Sequence, residues 1–317
     1  MAAAAADSSL LFRSRLLLVS GKGGTGKTTV SAAVGRLAAA QGRRTLVVEL
    51  DNQRPSLTGI FGAAPAYEPV QVDKNLSISN VTWHEALDDW LKDIVGVPRV
   101  VRLIVRNRVV GVFLEATPGA RDLVVLSRLV ALAKGYDLVV ADMPASGNAV
   151  AMLSVAHTAR RLFEAGPIRR CAEDLVALYA RPDTRLVLVG LPEEMVVNET
   201  IETARKVRAD LDPLRVPMIL LNRSTTPTLS QSEADLLAQL QTLPLEGLAA
   251  EVVGAGRWEA ALEAATGESL ERLGKELDIP VLALPVLARG EGAAKVVQQL
   301  TAAVARASSK PVDLRAP

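Results

Sequence analysis

The segment with the clearest capacity for chemistry lies near the N-terminus and is rich in glycine and lysine. It consists of Gly21, Lys22, Gly23, Gly24, Thr25, Gly26, Lys27, Thr28 and Thr29, which satisfies the pattern G-x-x-x-x-G-K-[ST]. Glycines let backbone N–H groups converge on phosphate oxygens, and a helix that begins there adds its dipole. Lys27 is placed to neutralise β- and γ-phosphate charge, and Thr28 to ligate Mg²⁺. We predict that this phosphate loop, residues 21–29, binds a nucleotide; a glycine-rich turn with a chance lysine is the alternative.

The loop contains a second lysine that phosphate binding does not require. Lys22 precedes the glycines, whereas the phosphate cradle needs only Lys27. The order Lys-Gly-Gly-x-Gly-Lys-Thr resembles the deviant Walker A motif of the SIMIBI class of P-loop NTPases, in which the early lysine reaches across a dimer to the partner's nucleotide. The resemblance implies a catalytic role for Lys22 in trans, and a solvated loop charge is the alternative.

These residues must be held by a framework that the hydrophobic pattern predicts. Short apolar runs alternate with helical stretches, which favours a doubly wound, mainly parallel α/β sheet with helices on both faces. We predict strands at Arg15–Ser20, Thr45–Leu50, Asp137–Asp142, Arg185–Gly190, Pro217–Leu221 and Pro280–Leu284, and a weaker one at Leu76–Val81. Apart from their first and last residues, the main runs are nearly continuously apolar, which indicates buried strands. The phosphate loop therefore lies between the first strand and a helix over Val30–Gln41.

Two aspartates come at the ends of predicted strands. Asp51 follows the strand that ends at Leu50, and Asp142 closes the strand that begins at Asp137. Doubly wound sheets bind ligands at the carboxyl edge, so both carboxylates should flank the phosphate loop. There a carboxylate can hold Mg²⁺, directly or through water, or orient the attacking water in phosphoryl transfer. Capping of a following helix is the alternative role.

Further motifs carry a resemblance to a known family. They lie, in order, at Asp142–Asn148, Leu191–Thr200, Leu220–Arg223 and Leu284–Gly292. These motifs resemble a switch II element with Asn148 in place of histidine, a Pro-Glu…Glu-Thr segment, an adenine-contacting asparagine and a late adenine-side loop. All four are features of the arsenite-pump and tail-anchored-protein targeting ATPases. The chain is therefore similar to that family over nearly its whole length.

The resemblance implies a SIMIBI-type ATPase core with ATP and Mg²⁺ as cofactors. By resemblance, Asp51 positions the attacking water, while Thr28 and Asp142 belong to the Mg²⁺ shell. Lys22, Lys27 and Asp51 are then the catalytic residues. The side chains expected near the adenine are Asn222, Arg223 and Pro285.

One segment departs from the family pattern. Asp51-Asn-Gln-Arg-Pro-Ser-Leu-Thr58 differs from the usual Asp-Pro-Ala-His and is closer to MinD/ParA relatives and bacterial tyrosine kinases. The kinase interpretation requires a C-terminal tyrosine cluster, whereas the only tyrosines are Tyr67, Tyr136 and Tyr179. MinD anchors through a C-terminal amphipathic helix, but Ser308–Pro317 carries two prolines and little apolar character. The family pattern is therefore matched around Lys27 and is not matched after Asp51.

The amino-acid composition argues against nucleic acid and zinc as binding partners. The 317 residues carry 36 Lys and Arg against 35 Asp and Glu, with 3% aromatic residues, so we expect no stable nucleic-acid binding. Cys171 is the only cysteine, which excludes an intrachain disulfide and a Cys-x-x-Cys zinc staple like that of the eukaryotic targeting ATPases. His84 and His157 have no companions at metal-ligand spacing. We therefore interpret Cys171 as a small hydrophobe and both histidines as structural or surface residues.

The sequence also predicts a cytoplasmic location without a transmembrane segment. Met1–Leu18 has Arg13 and Arg15 within its apolar part, which does not fit a secretory signal. The most apolar later run, Ile94–Leu114, is interrupted by Arg99, Arg102, Arg106 and Arg108. Such a charge density is hard to reconcile with a membrane-spanning helix.

Too many residues separate the second and third main strands for a simple crossover. We predict an ATPase core over residues 1–82 and 136–308, a helical insertion over 83–135 and a flexible tail over 309–317. Arg99, Arg102 and Arg106 recur on one helical face, with Ile104 and Val105 mostly elsewhere. In the resembling family this region holds the client or effector, which implies a hydrophobic groove. An ordinary helix with solvated arginines is the alternative.

The sequence is compatible with two functions. The first is a dimeric P-loop ATPase that couples its nucleotide state to the binding of an unknown protein client or effector, as a homodimer or with a paralogous ATPase. The second is a regulatory or scaffold subunit of MinD/ParA type that hydrolyses ATP weakly or not at all. The Asp51 segment keeps the second hypothesis open.

Overall fold

The computed structural model describes residues 9–95, 119–240, 242–287 and 292–309. The strands are β1 Leu16–Ser20, β2 Thr45–Leu50, β3 Val70–Asp73, β4 Leu76–Val81, β5 Leu138–Asp142, β6 Thr184–Gly190, β7 Ile219–Ser224 and β8 Val281–Pro285. The helices are α1 Ser9–Phe12, α2 Lys27–Ala40, α3 Leu57–Phe61, α4 Trp83–Val95, α5 Ala120–Gly135, α6 Ser146–Leu162, α7 Pro167–Tyr179, α8 Glu194–Asp210, α9 Gln231–Leu240, α10 Gly247–Glu276 and α11 Ala293–Ser309.

The eight strands form one sheet in the order β3-β4-β2-β5-β1-β6-β7-β8. Every neighbouring pair is parallel except β3 and β4. The predicted α/β class is confirmed, and each predicted strand is present with boundaries shifted by at most a few residues. β3 was not predicted, because it is a short edge strand whose side chains are all at least partly exposed.

Successive side chains of the central strands enter two different cores. Leu16 and Leu18 of β1 belong to one hydrophobic cluster, which α5, α6, α7 and α8 cover. Leu17 and Val19 belong to a second cluster on the opposite face, which α2 and α11 cover. Alternate residues of a strand point to opposite faces, so a sheet covered on both sides requires apolar residues at every position. This explains why β1 and β5 are apolar at every position before their last residue.

The two ends of the predicted helical insertion are helical. α4 begins at Trp83 and α5 ends at Gly135, while Val97–Leu114, with the arginine face at Arg99, Arg102 and Arg106, lies outside the described residues. Division into core, insertion and tail stays a prediction. Ser309, where the tail was predicted to begin, is the last residue of α11, and residues 310–317 lie outside the described part. Across the ranges described, we find no helix with the length and apolar character needed to cross a membrane.

The N-terminus of α9 shows that local sequence signals are followed. Ser230 and Glu233 form a capping box, in which Glu233 Oε2 accepts hydrogen bonds from the backbone N–H and the hydroxyl of Ser230, both at 2.7 Å. The backbone N–H of Glu233 donates in return to Ser230 Oγ at 3.3 Å. Both interactions satisfy groups that an uncapped helix start would leave without partners.

Candidate nucleotide-binding site

The phosphate loop connects β1 to α2, and its backbone requires glycine at several positions. Gly21 has a φ of +147°, and a Cβ atom there would lie 2.1 Å from the carbonyl oxygen of Val189 on β6. Gly24 and Gly26 have φ values of +83° and +89°. These are conformations that glycine adopts without strain. The sequence prediction of a tight, glycine-dependent loop before a helix is therefore confirmed by its geometry.

Lys27 lies at the first residue of α2 and turns back over the loop. Its Nζ donates to the carbonyl oxygen of Lys22 at 3.1 Å, so the ammonium bridges the two ends of the loop. Burial lowers the pKa of Lys27, and the nearby charges of Asp142 and Glu199 oppose that shift. A lysine held at this point sits where the phosphates of a nucleotide bound to the loop would lie.

Thr28 and Asp142 meet directly beneath the loop. Thr28 Oγ1 donates to Asp142 Oδ2 at 2.5 Å, while Oδ1 of the same carboxylate is buried and accepts no well-formed hydrogen bond from the described residues. Burial raises the pKa of Asp142 to about 6, helped by the neighbouring charge of Glu49. A hydroxyl and a carboxylate with a free buried oxygen are ligands that suit Mg²⁺. The predicted metal residues therefore come together and fit the ion.

Glu49 is a site residue that the sequence analysis missed. It is 1% exposed, and it pairs with Asp142 in the register between β2 and β5. Its carboxylate accepts hydrogen bonds from the side-chain amide of Asn52 and the backbone N–H of Ser56, both at 2.8 Å. Burial raises the pKa of Glu49 despite these bonds. The available signal was an acidic residue inside the otherwise apolar run Thr45–Leu50.

Asp51, the predicted water-positioning residue, lies at the start of α4. Its Oδ1 accepts a hydrogen bond from the backbone N–H of Trp83 at 3.1 Å, and its own N–H donates to the carbonyl oxygen of Val81 at 2.8 Å. The φ of Asp51 is +48°, an uncommon conformation for a residue other than glycine. In this structure Asp51 therefore links the end of β2 to the first turn of α4.

Lys22 pairs with an acidic residue of its own chain. Its Nζ lies 3.3 Å from Glu199 Oε2 on α8. The hydroxyl of Ser146, the first residue of α6, donates to the other oxygen of Glu199, and the backbone N–H of Ser146 donates to the carbonyl oxygen of Gly21 at 3.0 Å. The phosphate loop, α6 and α8 therefore meet at one carboxylate.

The predicted adenine residues lie at the carboxyl ends of β7 and β8. Asn222 is buried, and its Nδ2 donates to the carbonyl oxygen of Thr25 at 2.8 Å, which ties β7 to the phosphate loop. Arg223 is exposed with a φ of +54°, and Pro285 ends β8 at the same edge of the sheet. Of the predicted adenine-side loop Leu284–Gly292, residues 288–291 lie outside the described part.

Cys171, His84 and His157 make none of the site contacts described above. Cys171 is buried in α7, and burial raises the pKa of its thiol to about 11, which keeps it protonated and unreactive. His84 stacks beside Trp83, and His157 lies near Tyr179. Within residues 9–95, 119–240, 242–287 and 292–309, no group of three His, Cys, Asp or Glu side chains is arranged to hold a metal ion.

Comparison with known proteins agrees with the geometry of the site. The chain is 29% identical to ATPase BagA of Mycobacterium tuberculosis over 224 residues, which cover 66% of this chain and 65% of that protein. It is 31% identical to an uncharacterized protein of Streptomyces coelicolor over 220 residues, or 67% of this chain and 53% of that one. It is 27% identical over 201 residues to "Putative arsenical pump-driving ATPase 1" of Aquifex aeolicus, or 57% of this chain and 47% of that protein. The chain thus spans less than two thirds of the length of these relatives.

The sequence model of one family covers the part of the chain that builds the phosphate loop and both acidic strand ends. That family is described as anion-transporting ATPases, and the match extends over residues 14–181. It includes β1, the phosphate loop, α2, β2 and β5, and all of the predicted phosphate and metal residues lie on these parts of the chain. The chain therefore belongs to the anion-transporting ATPase family.

Proposed function

We propose that the chain binds and hydrolyses ATP with Mg²⁺ as a dimer, and that its nucleotide state controls the binding of a protein client or effector. The observation that carries this proposal is the contact of Thr28 with Asp142 beneath the phosphate loop. It joins Thr28, which lies at the start of α2 and is expected to ligate the metal, to the carboxylate of Asp142 at the end of β5. A hydroxyl and a carboxylate placed together here are expected in a nucleotide site that holds a metal ion, whereas a purely structural turn does not require them.

Each of these residues has its own role in the proposed phosphoryl transfer. The amides of the phosphate loop and Lys27 bind the phosphates, and Thr28 with Asp142 would hold Mg²⁺, whose charge offsets that of the phosphates. Asp51 orients the attacking water once its carboxylate is released from α4. Lys22 of one subunit acts on the nucleotide of the other, where it stabilises the charge of the transferred phosphoryl group.

The base site is proposed to prefer adenine. Asn222 carries an amide that can donate and accept together, which suits the edge of adenine. The residues that follow, Arg223 and Ser224, do not match the Asn/Thr-Lys-x-Asp pattern typical of guanine-binding P-loop proteins. In this structure the amide of Asn222 also fixes the loop through Thr25, so base binding and phosphate binding share one residue.

The coupling to a client has a physical basis at the start of α4. Asp51 Oδ1 accepts the hydrogen bond from Trp83, the first residue of α4, at 3.1 Å. If Asp51 turns toward the phosphates, α4 loses this partner, so nucleotide binding would be felt at the beginning of the predicted helical insertion. The cytoplasmic location and the absence of stable nucleic-acid binding are parts of the same proposal.

A hydrolysis assay on the purified chain tests the proposal. We expect Mg²⁺-dependent release of phosphate from ATP, loss of nucleotide binding in Lys27→Ala, and weaker displacement of bound ATP by GTP than by ATP. Retained ATP binding in Lys27→Ala, or equal displacement by GTP, would contradict the proposed site. Chelation of zinc should leave nucleotide binding and dimerisation unchanged.

A second candidate function is a regulatory subunit that binds ATP without hydrolysing it by itself. The observation in its favour is that Asp51 is engaged as a cap on α4 and begins a segment unlike the usual family motif. This candidate predicts ATP binding without turnover by the chain alone and turnover only after addition of its closest genomic paralogue. Turnover by the chain alone excludes it.

A further inference from the structure

Lys22 has a partner that its proposed role in trans does not explain. Its ammonium lies 3.3 Å from Glu199 Oε2 of the same chain, and the two side chains are 31% and 35% exposed. A cation destined for the nucleotide of another subunit is thus held by a carboxylate of its own. Because one ammonium cannot make both contacts in full, engagement of Lys22 in trans requires this pair to open.

The carboxylate of Glu199 is itself oriented by the helix that follows Asp142. The hydroxyl of Ser146 donates to Glu199 Oε1, so each oxygen of the carboxylate has one partner. Ser146 is the first residue of α6, and its backbone N–H donates to Gly21 of the phosphate loop at 3.0 Å. A movement of α6 on metal or nucleotide binding at Asp142 would therefore change the orientation of Glu199.

We infer that Glu199 is a positioning residue that holds Lys22 within its own subunit until the ATP-bound dimer forms. The inference rests on the proposed function, in which Lys22 acts on the partner's nucleotide. Partly exposed ion pairs contribute little free energy, so the restraint is one that nucleotide and partner binding can overcome. Glu199 thus sets how readily Lys22 becomes available, without touching the reacting atoms.

Glu199 also influences the nucleotide site of its own chain. Its charge acts on Lys27, whose pKa it raises against the effect of burial. Removing that charge could change the affinity for ATP directly. The dimer dissociation constants of the variants must therefore be compared at saturating nucleotide. Every subunit then carries nucleotide, so a difference in ATP affinity does not change the result.

The first experiment measures the cis pair directly. In the ATP-free protein, Lys22 of Glu199→Gln should be acylated by a lysine-selective reagent about two- to five-fold faster than Lys22 of the wild type, as quantified by mass spectrometry. Glu202→Gln is the matched control, because Glu202 lies on the same helix and pairs with Lys206 at 2.9 Å. It should change the labelling of Lys206 and leave that of Lys22 alone. Equal labelling of Lys22 in all three proteins would overturn the inference.

The second experiment measures the consequence for assembly. With Mg²⁺ and a saturating non-hydrolysable ATP analogue, Glu199→Gln should lower the dimer dissociation constant by about two- to five-fold in sedimentation equilibrium. Glu202→Gln should leave it unchanged. Ser146→Ala should shift it in the same direction by less, which provides a second variant if Glu199→Gln folds poorly. In a Lys22→Ala background, Glu199→Gln should have no further effect.

The outcomes separate the inference from the proposed function. A wild-type dimer that depends on ATP and on Lys22 but is unaffected or weakened by Glu199→Gln overturns the inference and leaves the proposed function intact. A wild type that never dimerises with nucleotide overturns both. Tightening by Glu199→Gln that persists without Lys22 also counts against the inference, because the carboxylate would then act through another group.

Discussion

The strands β2 and β5 lie side by side, and an aspartate stands at the carboxyl end of each, yet the two aspartates have different surroundings. Asp142 is 9% exposed and bonded to Thr28 beneath the phosphate loop. Asp51 is exposed and accepts a hydrogen bond from the first residue of α4. One carboxylate thus faces the nucleotide site, and the other faces the helical region that is proposed to sense it.

The register of the sheet explains this difference. Asp142 is aligned with Glu49, two residues before Asp51. In a regular strand Glu49 and Asp51 would point to the same face, but the φ of +48° at Asp51 ends the alternation. Glu49 consequently occupies the buried position beside Asp142, and Asp51 turns toward α4. A strand-final aspartate is therefore assigned to a site by its register and backbone conformation as well as by its place in the sequence.

The largest expected effect concerns the function of the β2 end. Under the proposed function, Asp51→Asn should reduce ATP hydrolysis by about 10²–10⁴-fold, because a neutral amide orients and polarises the attacking water far less than a carboxylate does. ATP affinity and thermal stability should change little, since the amide oxygen can still accept the hydrogen bond from Trp83. Rates and affinities are measured on the same preparation. Hydrolysis within a few fold of the wild type would show that Asp51 is a helix cap alone.

The burial of Asp142 at the end of β5 should make the stability of the fold depend on pH. The pKa of Asp142 is raised from 3.8 to about 6, so between these values the folded chain binds more protons than the unfolded chain. Stability should therefore fall as pH rises through this window, by about 3 kcal/mol for this group, and the loss should be complete by about pH 7.

Asp142→Asn checks this, because an amide does not titrate. Denaturant unfolding of the nucleotide-free wild type and Asp142→Asn is compared from pH 4 to pH 7.5, and the difference between the curves reports the titration of this carboxyl group together with its coupling to Glu49. The variant should gain stability relative to the wild type as pH rises, while it loses Mg²⁺-dependent nucleotide binding. A constant difference across the pH range would mean that Asp142 titrates alike in the folded and unfolded chain.

Much of this arrangement was predictable from sequence, for definable reasons. Continuous apolar strands, the glycine pattern and the lysines depend on local sequence alone, and these predictions agree with β1, α2 and the loop between them. Asp142 was placed correctly because β5 ends on it. Glu49 and the Glu199 partner of Lys22 were missed, because each depends on contacts between elements distant in sequence. Neither the register of β2 against β5 nor the approach of α8 to the phosphate loop can be read from local patterns.

The smallest expected effect tests the cap on α4. Asp51→Ala should lower the free energy of unfolding by about 1 kcal/mol, because it removes the acceptor for the N–H of Trp83 and because alanine tolerates a positive φ less well than aspartate does. Asp51→Gly removes the acceptor but tolerates the backbone conformation, so it should lie between the wild type and the alanine variant. Asp51→Asn keeps both features and should match the wild type. Unfolding free energies from urea titration that are equal for all four proteins would show that the cap adds nothing to stability, and that Asp51 is free to leave α4 without cost when nucleotide binds.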